Sequence, residues 1–131
     1  MVQRRSAAAA PDSAYIGPAE VETVPLGDVF DELCGRPQHV FLKLDVQGME
    51  ASVLEGGVAT LARLDLSDLE SSVVPLYRGE CLFPAMMTRL EAVGSALVGV
   101  SRSIDDPRTG QLLQVDALFA PHARFPSAPR R

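Results

Sequence analysis

The chain has 131 residues, 47% of them apolar and 22% charged. That length holds about one domain, and the composition excludes a fibre or a largely disordered protein. Residues 25–120 carry fourteen acidic and seven basic side chains within an overall formal charge of −5, so the cationic surface that nucleic-acid binding requires is missing and no such partner is expected.

From the amino terminus, the Ala-, Ser- and Pro-rich residues 1–20 have no period and read as a flexible tail. Their four consecutive alanines, ended by Pro11, fall short of the roughly 7 to 15 apolar residues of an export signal. Nowhere does an apolar run reach the roughly 18 residues of a membrane span, so a cytoplasmic chain without a membrane partner is expected. Val21, Thr23 and Val24 suggest a short strand before Pro25. Leu26, Val29, Phe30 and Leu33 then recur at helical spacing, with Gly35 and Pro37 as the stop.

His39 to Val46 is the clearest strand, because Val40, Phe41, Leu42, Leu44 and Val46 are nearly continuous. Apolar side chains on both faces predict a buried, central, parallel strand. Leu54, Val58 and Leu61 place one helix over Met49–Leu64, with Gly56 and Gly57 as its weak point at about 1 kcal/mol each relative to alanine. Leu66–Val74 reads as a strand that Pro75 ends. Phe83, Met86, Met87, Leu90 and Val93 define an amphipathic helix, with Pro84 in its first turn and Gly94 just past its end. Residues 96–100 and 112–119 are two strands across the turn-rich 105–110, expected to pair antiparallel, and 121–131 is a loose basic tail. One α/β domain over 21–120 follows from this order.

Searches for familiar chemistry are mostly negative. The ten glycines never form Gly-x-Gly-x-x-Gly. Gly99-Val100-Ser101-Arg102-Ser103 misses the serine-hydrolase elbow at its last position. Cys34 and Cys81 fit neither a Cys-x-x-Cys pair nor a disulfide framework. His39 and His122 stand alone, so no metal site is expected. What remains is Lys43-Leu44-Asp45-Val46-Gln47-Gly48-Met49-Glu50, charges and a glycine where a buried strand hands over to a helix. In an open α/β sheet that is where ligands bind. Asp45 suits a general base, a clamp on a substrate hydroxyl or a partner for a cation, and equally a solvated strand end. Glu50 suits the same work, or a helix dipole. A buried Lys43 calls for a carboxylate partner, and a structural ion pair with Asp45 or Glu70 and a catalytic role are equally open to it. Glu70 and Ser71, at the end of the next strand, are candidates to line the same crevice.

The blocks Phe41-Leu42-Lys43-Leu44-Asp45-Val46-Gln47-Gly48-Met49-Glu50, Val53-Leu54-Glu55-Gly56, Val74-Pro75-Leu76-Tyr77-Arg78-Gly79-Glu80, Thr109-Gly110 and Leu113-Gln114-Val115-Asp116-Ala117-Leu118-Phe119 resemble the FkbM-type methyltransferases in order and spacing. The resemblance implies a partial Rossmann-like class I sheet, S-adenosylmethionine as methyl donor and a small-molecule or sugar hydroxyl as acceptor. It implies Asp45 and Glu50 as catalytic candidates, with Lys43, Gln47, Gly48, Glu70 and Ser71 lining the pocket. It further implies that the strand ending at Asp45 is the fourth of the family's sheet. The family's glycine-rich donor loop follows the first strand and has no counterpart in these residues. The chain therefore reads as the carboxyl-terminal half of the domain, without its cofactor-binding half, and a non-catalytic remnant or interaction module is the rival reading. Because the fourth strand lies beside the first in that order, the 40–46 edge should be bare and invite self-association.

Overall fold

The computed structural model describes residues 17–36 and 39–124. The expected loose ends at 1–16 and 125–131, and the stop at Pro37, lie outside these. Val21–Val24 forms no strand: residues 17–25 have no regular structure, and Val21 and Val24 stand 76% and 55% exposed. A β-prone run with no neighbour to pack on has nothing to hold it extended.

Helix α1 (Leu26–Cys34) starts after Pro25 and ends at Gly35, whose φ of 63° an ordinary residue adopts only with strain. Its buried stripe is Leu26, Phe30 and Cys34, four residues apart, and not the predicted Leu33, which is exposed. Strand β1 (Phe41–Leu44) leads to α2 (Glu50–Gly56) and α3 (Val58–Leu61). The single helix expected over 49–64 is thus split at Gly57. A Cβ on Gly57 would sit 2.8 Å from Leu26 Cδ2, so the glycine that breaks the helix also lets α1 approach. Strand β2 (Leu66–Ser72), helix α4 (Phe83–Ala92), and strands β3 (Ser95–Asp105) and β4 (Leu112–Pro121) follow, then a 3-10 turn at His122–Arg124. As the periodicity predicts, α4 buries Met86 and Leu90, has Pro84 in its first turn and is followed by Gly94 at φ 84°.

The four strands run in the order β1-β2-β4-β3. β1 and β2 are parallel, and β4 is antiparallel to both β2 and β3. This mixed sheet with its helices is a partial Rossmann-like fold, with the last two strands paired as expected. β1 is not central, however. It is the edge strand, and Phe41 is 56% exposed. Its near-continuous apolar run suits a strand with a neighbour on each side, and within the described residues it has one.

Strand alternation divides the sheet into two chemically different faces. Leu44, Leu69, Val115, Ala117 and Phe119 meet Phe30, Leu54, Leu61, Met86 and Leu90 of the helices in one apolar core. On the opposite face the register sets Lys43 beside Asp68 and Glu70 beside Asp116. An open groove of about 420 Å³ lies there, lined by Asp68, Gly99, Ser101, Asp116 and Leu118.

Candidate functional site at the carboxyl ends of β1 and β2

The chain leaves β1 through a tight turn in which Gln47 (φ 54°) and Gly48 (φ 98°) are both left-handed. Gly48 is required twice over: its φ disfavours a side chain, and a Cβ would lie 2.8 Å from Tyr77 Cβ and 2.9 Å from Tyr77 Cγ. Gln47 is held in its uncommon conformation by its amide. The Nε2 donates to Asp45 Oδ1 at 2.7 Å and to Glu70 Oε2 at 3.2 Å, while Tyr77 donates its hydroxyl to the Oε1. Tyr77 is itself positioned by Glu80, whose carboxylate accepts the N–H groups of Leu76 and Tyr77.

Glu50 opens α2 with its carboxylate turned back on the same turn. It accepts the Val46 N–H at 3.1 Å and the Gly48 N–H at 3.1 and 3.2 Å, and is 6% exposed. Its oxygens thus face backbone donors, and the helix dipole adds to their stabilisation.

At the end of β2, Glu70 is 7% exposed and accepts Ser103 Oγ–H at 2.9 Å and Gln114 Nε2–H at 3.1 Å in addition to Gln47. Burial raises its proton affinity above the ordinary glutamate value. The Ser103 hydrogen bond opposes that, and Asp45 and Asp116 add to the rise. Ser71, one residue on, alternates to the other face, where its hydroxyl is buried without a hydrogen-bond partner among the described residues. The structure therefore gathers Asp45, Gln47, Gly48 and Glu70 at one strand end, leaves Glu50 facing its own turn, and turns Ser71 away.

Lys43 corrects another expectation. Its partners are Asp68 at 3.2 Å and Asp116 at 3.5 Å, and not Asp45 or Glu70. The Asp68 hydrogen bond raises the ammonium's proton affinity against the opposing effect of partial burial, and the charges of Asp68 and Asp116 add to it. With half of the lysine side chain in water, the pairs contribute at most about 1 kcal/mol. Tyr77, Ser103 and Gln114 belong to the site as well. Ser103 carried no sequence signal and Gln114 stood inside a resemblance block without a role, because only the strand register and the β3 irregularity between Arg102 and Ile104 aim them at Glu70.

Chemically, the arrangement is an exposed carboxylate, Asp45, oriented by an amide and placed beside a carboxyl that ionises reluctantly. It can accept a hydroxyl hydrogen bond and then the proton. The fit to a nucleotide-like donor is poor. Gly17, Gly35, Gly48, Gly79, Gly94 and Gly110, the glycines of positive φ, are dispersed singly, and Tyr77 already fills the space at Gly48. No group of three or more metal-ligating side chains occurs among the described residues, and no helix among them is long and apolar enough to cross a membrane. Residues 2–97 match the methyltransferase FkbM domain family; no curated protein and no solved structure matches the chain.

Proposed function

Since the chain belongs to the methyltransferase FkbM domain family, we propose that it supplies the acceptor side of an S-adenosylmethionine-dependent transfer to a small-molecule or sugar hydroxyl. The donor supplies an electrophilic methyl group. Among the described residues the glycines of positive φ are dispersed singly and form no cradle for it, so the work assigned to these residues is on the acceptor. The Asp45 carboxylate accepts the hydroxyl hydrogen bond and takes the proton as the oxygen becomes nucleophilic. Gln47, clamped between Asp45, Glu70 and Tyr77, fixes the direction of that carboxylate, which is the positional component of such catalysis. Glu50 holds the turn, and Gly48 lets Tyr77 close over it. The observation that carries this reading is the Gln47 amide bridging two carboxylates at adjacent strand ends.

An isotope-labelled chain titrated with a panel of polyhydroxylated small molecules tests it. A fitting acceptor is expected to shift the resonances of Asp45, Gln47 and Tyr77, and Asp45→Asn is expected to weaken that binding about tenfold, equivalent to roughly 1.4 kcal/mol. If no acceptor moves those resonances, the reading fails. The dispersed glycines favour the rival, a non-catalytic interaction module, and under it the same titration is silent at the strand ends. Calorimetric titration with S-adenosylmethionine is expected to show no micromolar binding by this chain. Heat at that affinity would overturn the account of the missing cradle.

A further inference from the structure

Glu70 has a setting that the acceptor reading does not use. It lies on the inner strand β2, 7% exposed, and its three hydrogen-bond donors, Gln47, Ser103 and Gln114, are all neutral. The charged groups around it are mostly of its own sign. Asp45 lies past the end of β1, Asp116 stands directly opposite on β4, and Asp68 is two residues earlier on the same face. Lys43 is the cation on that face, and its ammonium engages Asp68 and Asp116 instead. β3 contributes the Ser103 hydroxyl, and the loop above contributes Tyr77, bonded to Gln47. Gln114 gives Glu70 one N–H, while its own Oε1 is buried without a donor among the described residues. Among the described residues, none of the side chains that hydrogen-bond Glu70 carries a positive charge.

The hydrogen bonds favour the carboxylate, Ser103's included, but each of them can also be made by the neutral acid. A serine hydroxyl donates or accepts, so a proton on Glu70 Oε1 is received by Ser103 Oγ at the same 2.9 Å. Oε2 meanwhile goes on accepting from the Gln47 and Gln114 amides at 3.2 and 3.1 Å. Asp45, by contrast, is exposed to solvent. We propose that Glu70 is the member of the Asp45–Glu70 pair that holds the proton, a positioning residue that stays a neutral acid under mildly acidic conditions. Gln47 then reports one charge at the strand ends and not two. The location of the proton is independent of the acceptor reading above; only its consequence, that Asp45 remains the available base, rests on it. Desolvation and the two neighbouring carboxylates act in the same direction on Glu70.

The test uses the unmodified chain with carbon-labelled glutamate, following the Glu70 side-chain carboxyl by NMR across pH. The expected midpoint is above the ordinary glutamate value of about 4.3, with the Gln47 side-chain amide resonance moving at that same midpoint. A midpoint at or below about 4.3 overturns the proposal. Stability gives a second readout. A carboxyl whose folded proton affinity is raised contributes stability that is fully present below its unfolded value and is lost as pH rises through the folded midpoint. The denaturation midpoint of Glu70→Gln, which mimics the neutral acid, should therefore equal or exceed that of the parent at pH 7, and the gap should close towards pH 4. A variant clearly less stable than the parent at pH 7 would show instead that Glu70 works as a structural anion. Failure of the acceptor titration with a raised Glu70 midpoint removes the function and leaves the proton where it is proposed.

Discussion

Replacing Gly48 with alanine tests the geometry on which the strand-end site depends. The backbone there has φ 98°, and an added Cβ would lie 2.8 and 2.9 Å from Tyr77 Cβ and Cγ. Forcing a side chain into a left-handed conformation costs about 1–2 kcal/mol, and overpacking a filled contact typically costs a further 1–3 kcal/mol or so. Tyr77 cannot yield easily, because Glu80 grips the Leu76 and Tyr77 N–H groups and the tyrosine hydroxyl is bonded to Gln47. The two costs therefore add, to roughly 2–5 kcal/mol, a drop in melting temperature on the order of 10 °C for a chain of this length. Gly56→Ala is the matched control. It makes the same chemical change at the end of α2, where the nearest atom would be 3.4 Å away and the φ is not left-handed, so it should be neutral or stabilise by up to about 1 kcal/mol. Thermal and urea melts of both variants, followed by circular dichroism, decide the matter. If Gly48→Ala melts with Gly56→Ala, Tyr77 does not close over the turn and the site's geometry is wrong.

Two further outcomes follow from the same contacts. Glu50→Ala removes the acceptor for the Val46 and Gly48 N–H groups, and should lower the unfolding free energy in urea by about 1–3 kcal/mol; a variant indistinguishable from the parent would mean that water serves those donors equally well. The carbonyl of Val40 accepts from β2, so strand alternation turns the N–H and C=O groups of Phe41 and Lys43 towards the open edge. Sedimentation velocity is expected to show concentration-dependent self-association, and Phe41→Pro, which deletes one outward N–H at the start of the strand, should reduce it without loss of helix signal. A parent that sediments as a monomer at every concentration refutes the edge pairing.

From Leu26 onward the element order was legible, because hydrophobic period and the Gly and Pro punctuation act locally. The absent strand at Val21–Val24, the edge position of β1, the buried stripe of α1, the α2–α3 break and the partner of Lys43 were not, and each depends on contacts distant in sequence. Lys43 and Asp45 share a strand face, but two residues along a strand are separated by nearly 7 Å. A directly opposite neighbour on the adjacent strand is nearer, because paired strands lie only about 4.7–4.9 Å apart. The β1–β2 register therefore gives Lys43 to Asp68. Glycine doublets carry the same ambiguity: Gly56 and Gly57 are equal in propensity, and the approach of Leu26 to Gly57 selects which one breaks the helix. For Asp45 and Gly48 the sequence placed both at a strand end, but the left-handed Gln47 that joins Asp45 to Glu70 is set by Tyr77, thirty residues away.

The polarity of the site is tied to the core by register. Because side chains alternate, the pairing that puts Leu69 beside Leu44 and Ala117 in the core also puts Glu70 beside Asp116 on the other face. A slip of one residue would bury Glu70 and Asp116 among leucines and expose Leu69, which is at present fully buried. The carboxyl cluster is thus held in place by the hydrophobic preference of its neighbours, and the three neutral donors around Glu70 lessen the cost of keeping it there. Ser103 and Gln114 come from β3 and β4 beyond residue 97, where the family match ends. The Ser103 and Gln114 side chains that hydrogen-bond Glu70 therefore lie beyond the family match, while Asp45 and Gly48 lie within it.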